Sequence, residues 1–285
     1  MSKLKLVECP RDAMQGLHDF IPTHVKVDYI NQLLKCGFDT IDFGSFVSPK
    51  AIPQMRDTAD VLSKLDLQNT NSELLAIIAN VRGAEDAIQF DEINYLGYPF
   101  SVSEEFQLRN TNATIEESFK RVEAISNLCV ANNKELVVYL SMGFGNPYGE
   151  EWSADIVLKW AKRLKEDLGV KIMALSDTIG TATLENVDYL FRALIPSMPD
   201  VEFGAHLHTR PEYAQLLVES AYNAGCRRFD GAIKGFGGCP MAKDDLTGNM
   251  PTEEMITYFD SKSIEHGVDE MEFGKSMSLA LSVFP

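Results

Sequence analysis

The sequence predicts a (β/α)8 TIM barrel with parallel strands, a single domain spanning residues 1–285. Three observations lead there. Short β-like runs recur along the chain, and several are continuously apolar, as strands buried on both faces tend to be. Helical patterns follow them, and strand–helix alternation implies parallel strands joined by right-handed crossovers. Eight such units in about 250 residues match the closed barrel. A doubly wound open sheet is the alternative, but no G-x-G-x-x-G turn follows the first strand.

In chain order the β-like runs are Leu4–Glu8, Thr40–Phe43, Leu74–Ala79, Glu92–Leu96, Glu135–Ser141, Lys171–Leu175, Glu202–His206 and Arg228–Ala232. Between them lie the helical signals. Val27, Ile30 and Leu34 follow Thr23, which reads as an N-cap. Thr114-Ile-Glu-Glu117 has the form of a capping box and opens a run with Phe119, Val122 and Ile125 on one face. Ile156, Trp160, Leu164 and Leu168 repeat every four residues, and Val187, Leu190, Phe191 and Leu194 form an apolar stripe.

Composition narrows the function. The 285 residues carry 26 Lys+Arg and 42 Asp+Glu, a formal net charge of −16, with 45% hydrophobic residues. That is a globular balance with ample material for a core. The charge argues against nucleic acid, which needs clustered Lys and Arg. A small anionic substrate stays open, because a local site can be positive on an acidic protein. No apolar run approaches the roughly 18 residues of a membrane span. The start, Met1-Ser-Lys-Leu-Lys-Leu, lacks the features of a signal or transit peptide, so a cytoplasmic location is expected. The five cysteines, Cys9, Cys36, Cys129, Cys226 and Cys239, are odd in number and scattered, as reduced thiols are.

In a barrel the C-terminal strand ends surround the active site. Polar residues collect there: Arg11-Asp12 after the first strand, Asp42 and Ser45 after the second, Asp177-Thr178 after the sixth, His206-Leu-His208 at the seventh, Cys239 and then Asn249 after the eighth. His206 and His208 give the sharpest signal. Residues i and i+2 of a strand face the same way, roughly 6–7 Å apart, so two imidazoles can converge on one ion. The chain has only five histidines, and two stand in this tripeptide. A hydrogen-bonded pair without metal is the alternative. Asp12 and Asn249 at neighbouring strand ends favour the ion. Mixed O/N ligation without thiolate suits Mg²⁺ or Mn²⁺, with Co²⁺ or Zn²⁺ as alternatives. Cys239 follows Gly235-Phe-Gly-Gly238, and a thiol on a glycine-rich loop can act as acid or nucleophile.

Five segments, covering the chain from Glu8 to about Glu254, resemble the hydroxymethylglutaryl-CoA lyases of the DRE-TIM metallolyase group. Pro10-Arg11-Asp12-Ala13-Met14-Gln15 is similar to P-R-D-G-x-Q. Ser45-Phe-Val-Ser-Pro-Lys50 with Pro53-Gln54-Met55 is similar to S-F-V-S-P-K-x-x-P-Q-M. Ser103-Glu-Glu-Phe106 with Asn110 and Ile115-Glu-Glu-Ser-Phe119, Asp177-Thr178-Ile179-Gly180, and Gly235-Phe-Gly-Gly-Cys239-Pro240 with Gly248-Asn249 complete the set. The resemblance implies a divalent-metal lyase that splits 3-hydroxy-3-methylglutaryl-CoA into acetyl-CoA and acetoacetate, working as a homodimer.

By the same resemblance, Asp12, His206, His208 and Asn249 would hold the metal. Arg11 would stabilise the thioester enolate, and Cys239 would close over the site and move a proton. Asp42 stands where the family has a catalytic Glu. His206 or Asp12 would take the hydroxyl proton. Gln15, Ser45, Asp177, Thr178 and Glu253 would shape or support the substrate pocket. The chain departs from the pattern at Ala13, at Asp42, at Leu17-His18, at Asn146 and at Thr209-Arg210, and one extra residue separates Cys239 from Asn249. A related 3-hydroxy-3-alkyl acyl-CoA is therefore a second candidate substrate. Condensing acyltransferases of the isopropylmalate or citramalate synthase type share the Arg–Asp and H-x-H elements, but not G-G-C-P.

Overall fold

A computed structural model of the protein describes residues 3–238 and 247–284. The strands are β1 (Lys5–Glu8), β2 (Thr40–Ser45), β3 (Glu73–Ile77), β4 (Ile93–Ser101), β5 (Glu135–Ser141), β6 (Ile172–Asp177), β7 (Glu202–Thr209), β8 (Arg228–Gly231) and the two-residue β9 (Gly248–Asn249). The helices are α1 (Pro10–Gln15), α2 (Thr23–Leu33), α3 (Thr58–Leu62), α4 (Val81–Ala87), α5 (Glu104–Thr111), α6 (Ile115–Ala131), α7 (Ala154–Leu168), α8 (Leu184–Ser197), α9 (Pro211–Asn223), α10 (Thr252–Ser261) and α11 (Glu270–Val283).

β1 to β8 pair in parallel with their sequence neighbours, and β8 returns to β1, so the sheet closes. This is the (β/α)8 barrel expected. Alternation sorts each strand. On β5, Leu136, Val138 and Leu140 join the large core between sheet and helices. Val137 and Tyr139 turn inward to the barrel's own cluster with Leu75, Ile77, Tyr95, Ile172 and Ala174.

All eight expected strands form. The fourth runs on to Ser101 and the seventh to Thr209. Thr114 accepts the Glu117 N–H while the Glu117 side chain accepts the Thr114 N–H, completing the capping box. One expectation is corrected. Thr23 is not an N-cap but the first residue of α2, preceded by Pro22. Its hydroxyl donates instead to Asp57 Oδ2 at 2.7 Å, where Asp57 also binds the buried Lys26. On α7 the buried face is Val157, Trp160, Ala161 and Leu164, with Ile156 and Leu168 half-buried at its edge.

Two local devices place the site. β2 carries a bulge: Asp42 pairs with Leu75 and Gly44 with Ala76, which leaves Phe43 as the extra residue and re-aims the strand end. β9 pairs antiparallel to the end of β7, with Asn249 opposite His208.

Candidate active site

α1 is a single short helix laid across the barrel mouth directly after β1. Pro10 starts it, where a missing N–H costs nothing. Gln15 stands four residues from Arg11 and three from Asp12, close enough on one helix to bond both. Arg11 Nη1 donates to Asp12 Oδ1 at 2.9 Å and to Gln15 Oε1 at 2.9 Å, and Gln15 Nε2 donates to Asp12 Oδ1 at 2.5 Å.

The other side of the guanidinium meets Asp42. Nε lies 3.1 and 3.0 Å from the two carboxylate oxygens, and Nη2 lies 2.5 Å from Oδ2. A guanidinium has five N–H groups. Contacts with the described residues occupy all but one of them, on Nη2, so Arg11 is held rigidly with one donor left over among those residues. Burial disfavours its charge, but Asp42 and Asp12 more than offset that and hold its pKa above the ordinary value. Burial pushes the Asp42 carboxyl up to about 6, against the pull of Arg11.

Asp12 turns its other oxygen to the histidines. Oδ2 is 3.9 Å from His206 Nε2 and 3.9 Å from His208 Nε2. The ligand atoms of Asp12, His206 and His208 all lie within 4.8 Å of one another, a spacing that one cation can bridge. Asn249, buried beside His208, donates Nδ2 to the Phe236 carbonyl at 2.8 Å, which leaves its amide oxygen as the remaining acceptor. A carboxylate oxygen, two imidazole nitrogens and an amide oxygen suit a divalent cation of Mg²⁺ or Mn²⁺ type. The charge states fit too. Burial would raise Asp12, but Arg11, the two histidines and Asn249 bring it down to about 2. Burial and the neighbouring His206 lower His208 to about 4. Both are therefore unprotonated at neutral pH, as ligands must be. His206 is raised: burial opposes its charge, but Asp230, hydrogen-bonded to Nδ1, and Asp12 outweigh it.

The loop after β8 is pressed against this cluster. Gly237 has φ +83°, and a Cβ there would stand 2.8 Å from Ala13 Cα, 2.8 Å from the Asp12 carbonyl and 2.9 Å from Asn249 Nδ2. Only glycine fits that approach.

A cavity of about 470 Å³ opens onto the cluster. Arg11, Asp12, Gln15, Thr178, His206 and His208 line it, with Val47, Ile52, Ile77, Pro99 and Phe106 forming an apolar wall. Not every expected residue meets it. Asp42 is fully buried behind Arg11 and does not line the cavity, so it holds the guanidinium rather than facing substrate. Asp177 points the other way. On β6, Ala174 and Ser176 face inward, so Asp177 faces outward, where it accepts the N–H groups of Thr181 and Ala182. Ser45 donates to the Ile77 carbonyl, and Glu253 accepts the Lys234 N–H. Neither reaches this cavity. These residues brace loops. Cys239 lies outside the described residues.

Among the departures, His18 is exposed, and Asn146 bonds within its own loop, accepting the Tyr148 and Glu150 N–H groups. Sequence reasoning missed Asp230 and Arg228 inside the barrel. The signal was present, since Arg228-x-Asp230 puts two charges on one face of a strand read as buried.

With the geometry in view, comparison with known proteins is informative. The HMGL-like family model matches residues 3–279. A hydroxymethylglutaryl-CoA lyase of Bacillus subtilis is 32% identical over 259 residues, 91% of this chain and 85% of that protein. The mitochondrial hydroxymethylglutaryl-CoA lyase of Mus musculus is 33% identical over 273 residues, 94% of this chain and 81% of that one. The crystal structure of the Bacillus subtilis HMG-CoA lyase superposes with a TM-score of 0.92 at 30% identity, covering 99% of this chain and 94% of that one. An HMG-CoA lyase from Acinetobacter baumannii, solved with coenzyme A and 3-methylmalate, gives 0.90 at 29% identity, covering 99% and 91%. The barrel, the Arg–Asp helix at its mouth and these likenesses agree, and the chain belongs to the HMGL-like family.

Proposed function

We propose that the protein is a carbon–carbon lyase that splits 3-hydroxy-3-methylglutaryl-CoA into acetyl-CoA and acetoacetate with the help of a divalent cation, Mg²⁺ or Mn²⁺. One observation carries the reading: Asp12, His206 and His208 converge at the barrel mouth, with Asn249 beside them and the buried guanidinium of Arg11 bonded to the same carboxylate. Relatives named hydroxymethylglutaryl-CoA lyases, and one solved with coenzyme A, support the substrate class.

A cation held by these four residues would lower the pKa of the substrate's tertiary hydroxyl and orient its oxygens. The protein supplies the rest. Cleavage moves electron density onto the thioester oxygen, and the Nη2 N–H of Arg11 that Asp42 does not engage would donate to it. Asp42 and Gln15 keep that donor from turning away. The apolar wall of Val47, Ile52, Ile77, Pro99 and Phe106 takes the acyl chain and excludes water. Thr178 lies on the cavity wall and would contact the acyl group. The hydroxyl proton would pass to Asp12 or His206 as the C–C bond breaks, and Cys239, two residues beyond the Gly237 that packs on Asp12, would give the carbanion its proton.

The chain acts as one catalytic domain, with homodimer formation carried by the family resemblance. Its place is the cytoplasm, a compartment in which buried thiols such as Cys9, Cys36, Cys129 and Cys226 stay reduced. No helix among the described residues is long and apolar enough to cross a membrane.

The deciding assay follows cleavage of several 3-hydroxy-3-alkylglutaryl-CoA esters by mass spectrometry with Mg²⁺ or Mn²⁺. Release of acetyl-CoA from the 3-methyl ester is expected. Turnover only of a different 3-alkyl ester would transfer the reading to that substrate. No turnover of any, together with condensation of acetyl-CoA and a 2-oxo acid, would replace lyase by synthase.

A further inference from the structure

Below the cation cluster, the barrel interior holds charged side chains that the proposed reaction does not use. β7 and β8 pair with His206 opposite Asp230 and Gly204 opposite Arg228. Asp230 Oδ2 is 3.2 Å from His206 Nδ1. Its other oxygen, Oδ1, is 4.0 Å from Arg228 Nε, and neither atom has a hydrogen-bond partner among the described residues. Arg228 is wholly buried and reaches Glu202 Oε1 with Nη1 at 3.3 Å. Space for its stem comes from Gly204, where a Cβ would stand 3.1 Å from Arg228 Cδ and 3.2 Å from Cγ.

Such a pair is a poor way to stabilise a barrel. Burying a guanidinium and a carboxylate with hydrogen bonds unmade costs free energy, and an apolar pair of the same volume is often as stable or more so. A role other than stability is therefore needed. The pair's upper end touches one of the two candidate ligand imidazoles. The other, His208, has no hydrogen-bond partner at Nδ1 among the described residues, so among them one of the two rings is anchored from behind and the other is not.

We propose that Asp230 is a positioning residue for the cation site: it fixes His206 as the Nδ1–H tautomer, so that the Nε2 lone pair faces Asp12 and the mouth, and Arg228 supplies the countercharge that holds Asp230 in place. The inference rests on the reading of Asp12, His206, His208 and Asn249 as cation ligands. It assigns His206 to the cation and not to the hydroxyl proton, because a single Nε2 lone pair cannot serve both. Carboxylate partners of ligating histidines fix ring and tautomer in this way, and their loss costs about 10–100-fold in metal affinity.

The test measures Mn²⁺ binding by calorimetry to the full-length wild type and to Asp230→Asn, with circular dichroism and melting temperature recorded for both. The expected result is a folded variant whose Kd for Mn²⁺ is raised about 10–100-fold. A folded variant with unchanged Kd but reduced turnover would overturn the proposal and make His206 a base served by Asp230. A wild type that binds no Mn²⁺ would sink the cation reading itself, and this inference with it. Should Asp230→Asn fail to fold, ¹⁵N-histidine spectra of the wild type decide the matter, with His206→Asn assigning the signal. A protonated Nδ1 on His206 supports the proposal, and a protonated Nε2 overturns it.

Discussion

Arg11 shows how one side chain can be fixed by its neighbours: four of its five N–H groups are spoken for by Asp42, Asp12 and Gln15. Lysine keeps the charge but not the planar fork. Arg11→Lys is expected to cut turnover of the acyl-CoA about 100- to 1,000-fold, the loss typical of one oxyanion donor. A steady-state assay that finds less than a tenfold change would remove Arg11 from the chemistry. Glu8 makes a different point. It is buried at the end of β1 and accepts the Ile233 N–H and the Thr252 hydroxyl, yet burial pushes its pKa from 4.5 to about 8. The folded-state pKa is raised, so its contribution to stability is full below pH 4.5 and is lost as pH rises through about 8. Melting curves from pH 5 to 9 should therefore show Glu8→Gln gaining on the wild type as pH rises. A constant difference would contradict the shift. At this scale the sequence was legible where side-chain spacing decides geometry, as in His206-x-His208. It was less so where strand parity decides, and Asp177 faces outward for that reason alone.

Elements were read more surely than side chains, because a hydrophobic period survives small errors of boundary. The eight barrel strands were foreseen, though not β9, and the missed ends of β4 and β7 lie at the barrel mouth. Thr23 misled because an N-cap residue and a first-turn hydroxyl look alike in sequence, and its partner Asp57 is 34 residues away. The α6 capping box was legible because it is local. Thr114→Ala should lower stability by about 1 kcal/mol without touching turnover, measured by denaturant titration beside the assay. The loop after β8 behaves differently. A Cβ at Gly237 collides with the Asp12 backbone and the Asn249 amide. Gly237→Ala should thus weaken Mn²⁺ binding while far-ultraviolet circular dichroism stays that of the wild type. Unaltered affinity would show that the loop can yield.

For the molecule as a whole, the barrel was predictable from strand–helix alternation; Arg228-x-Asp230 on a buried strand signalled interior charge, but nothing local announces that Gly204 makes room for Arg228. A ligand that binds only the folded state raises its melting temperature. Mn²⁺ or Mg²⁺ should therefore raise the melting temperature of chelator-treated protein and restore its turnover, and scanning calorimetry showing neither would count against the site. The pairing of β9 with β7 has a consequence for biosynthesis. Asp12 leaves the ribosome well before Asn249, which arrives only after the eighth strand and docks by an antiparallel bridge to His208. No nascent chain short of that bridge can offer all four donors. On the proposed ligand set the ion would not seed folding; it would work as a clasp, fastened once the ring has already shut.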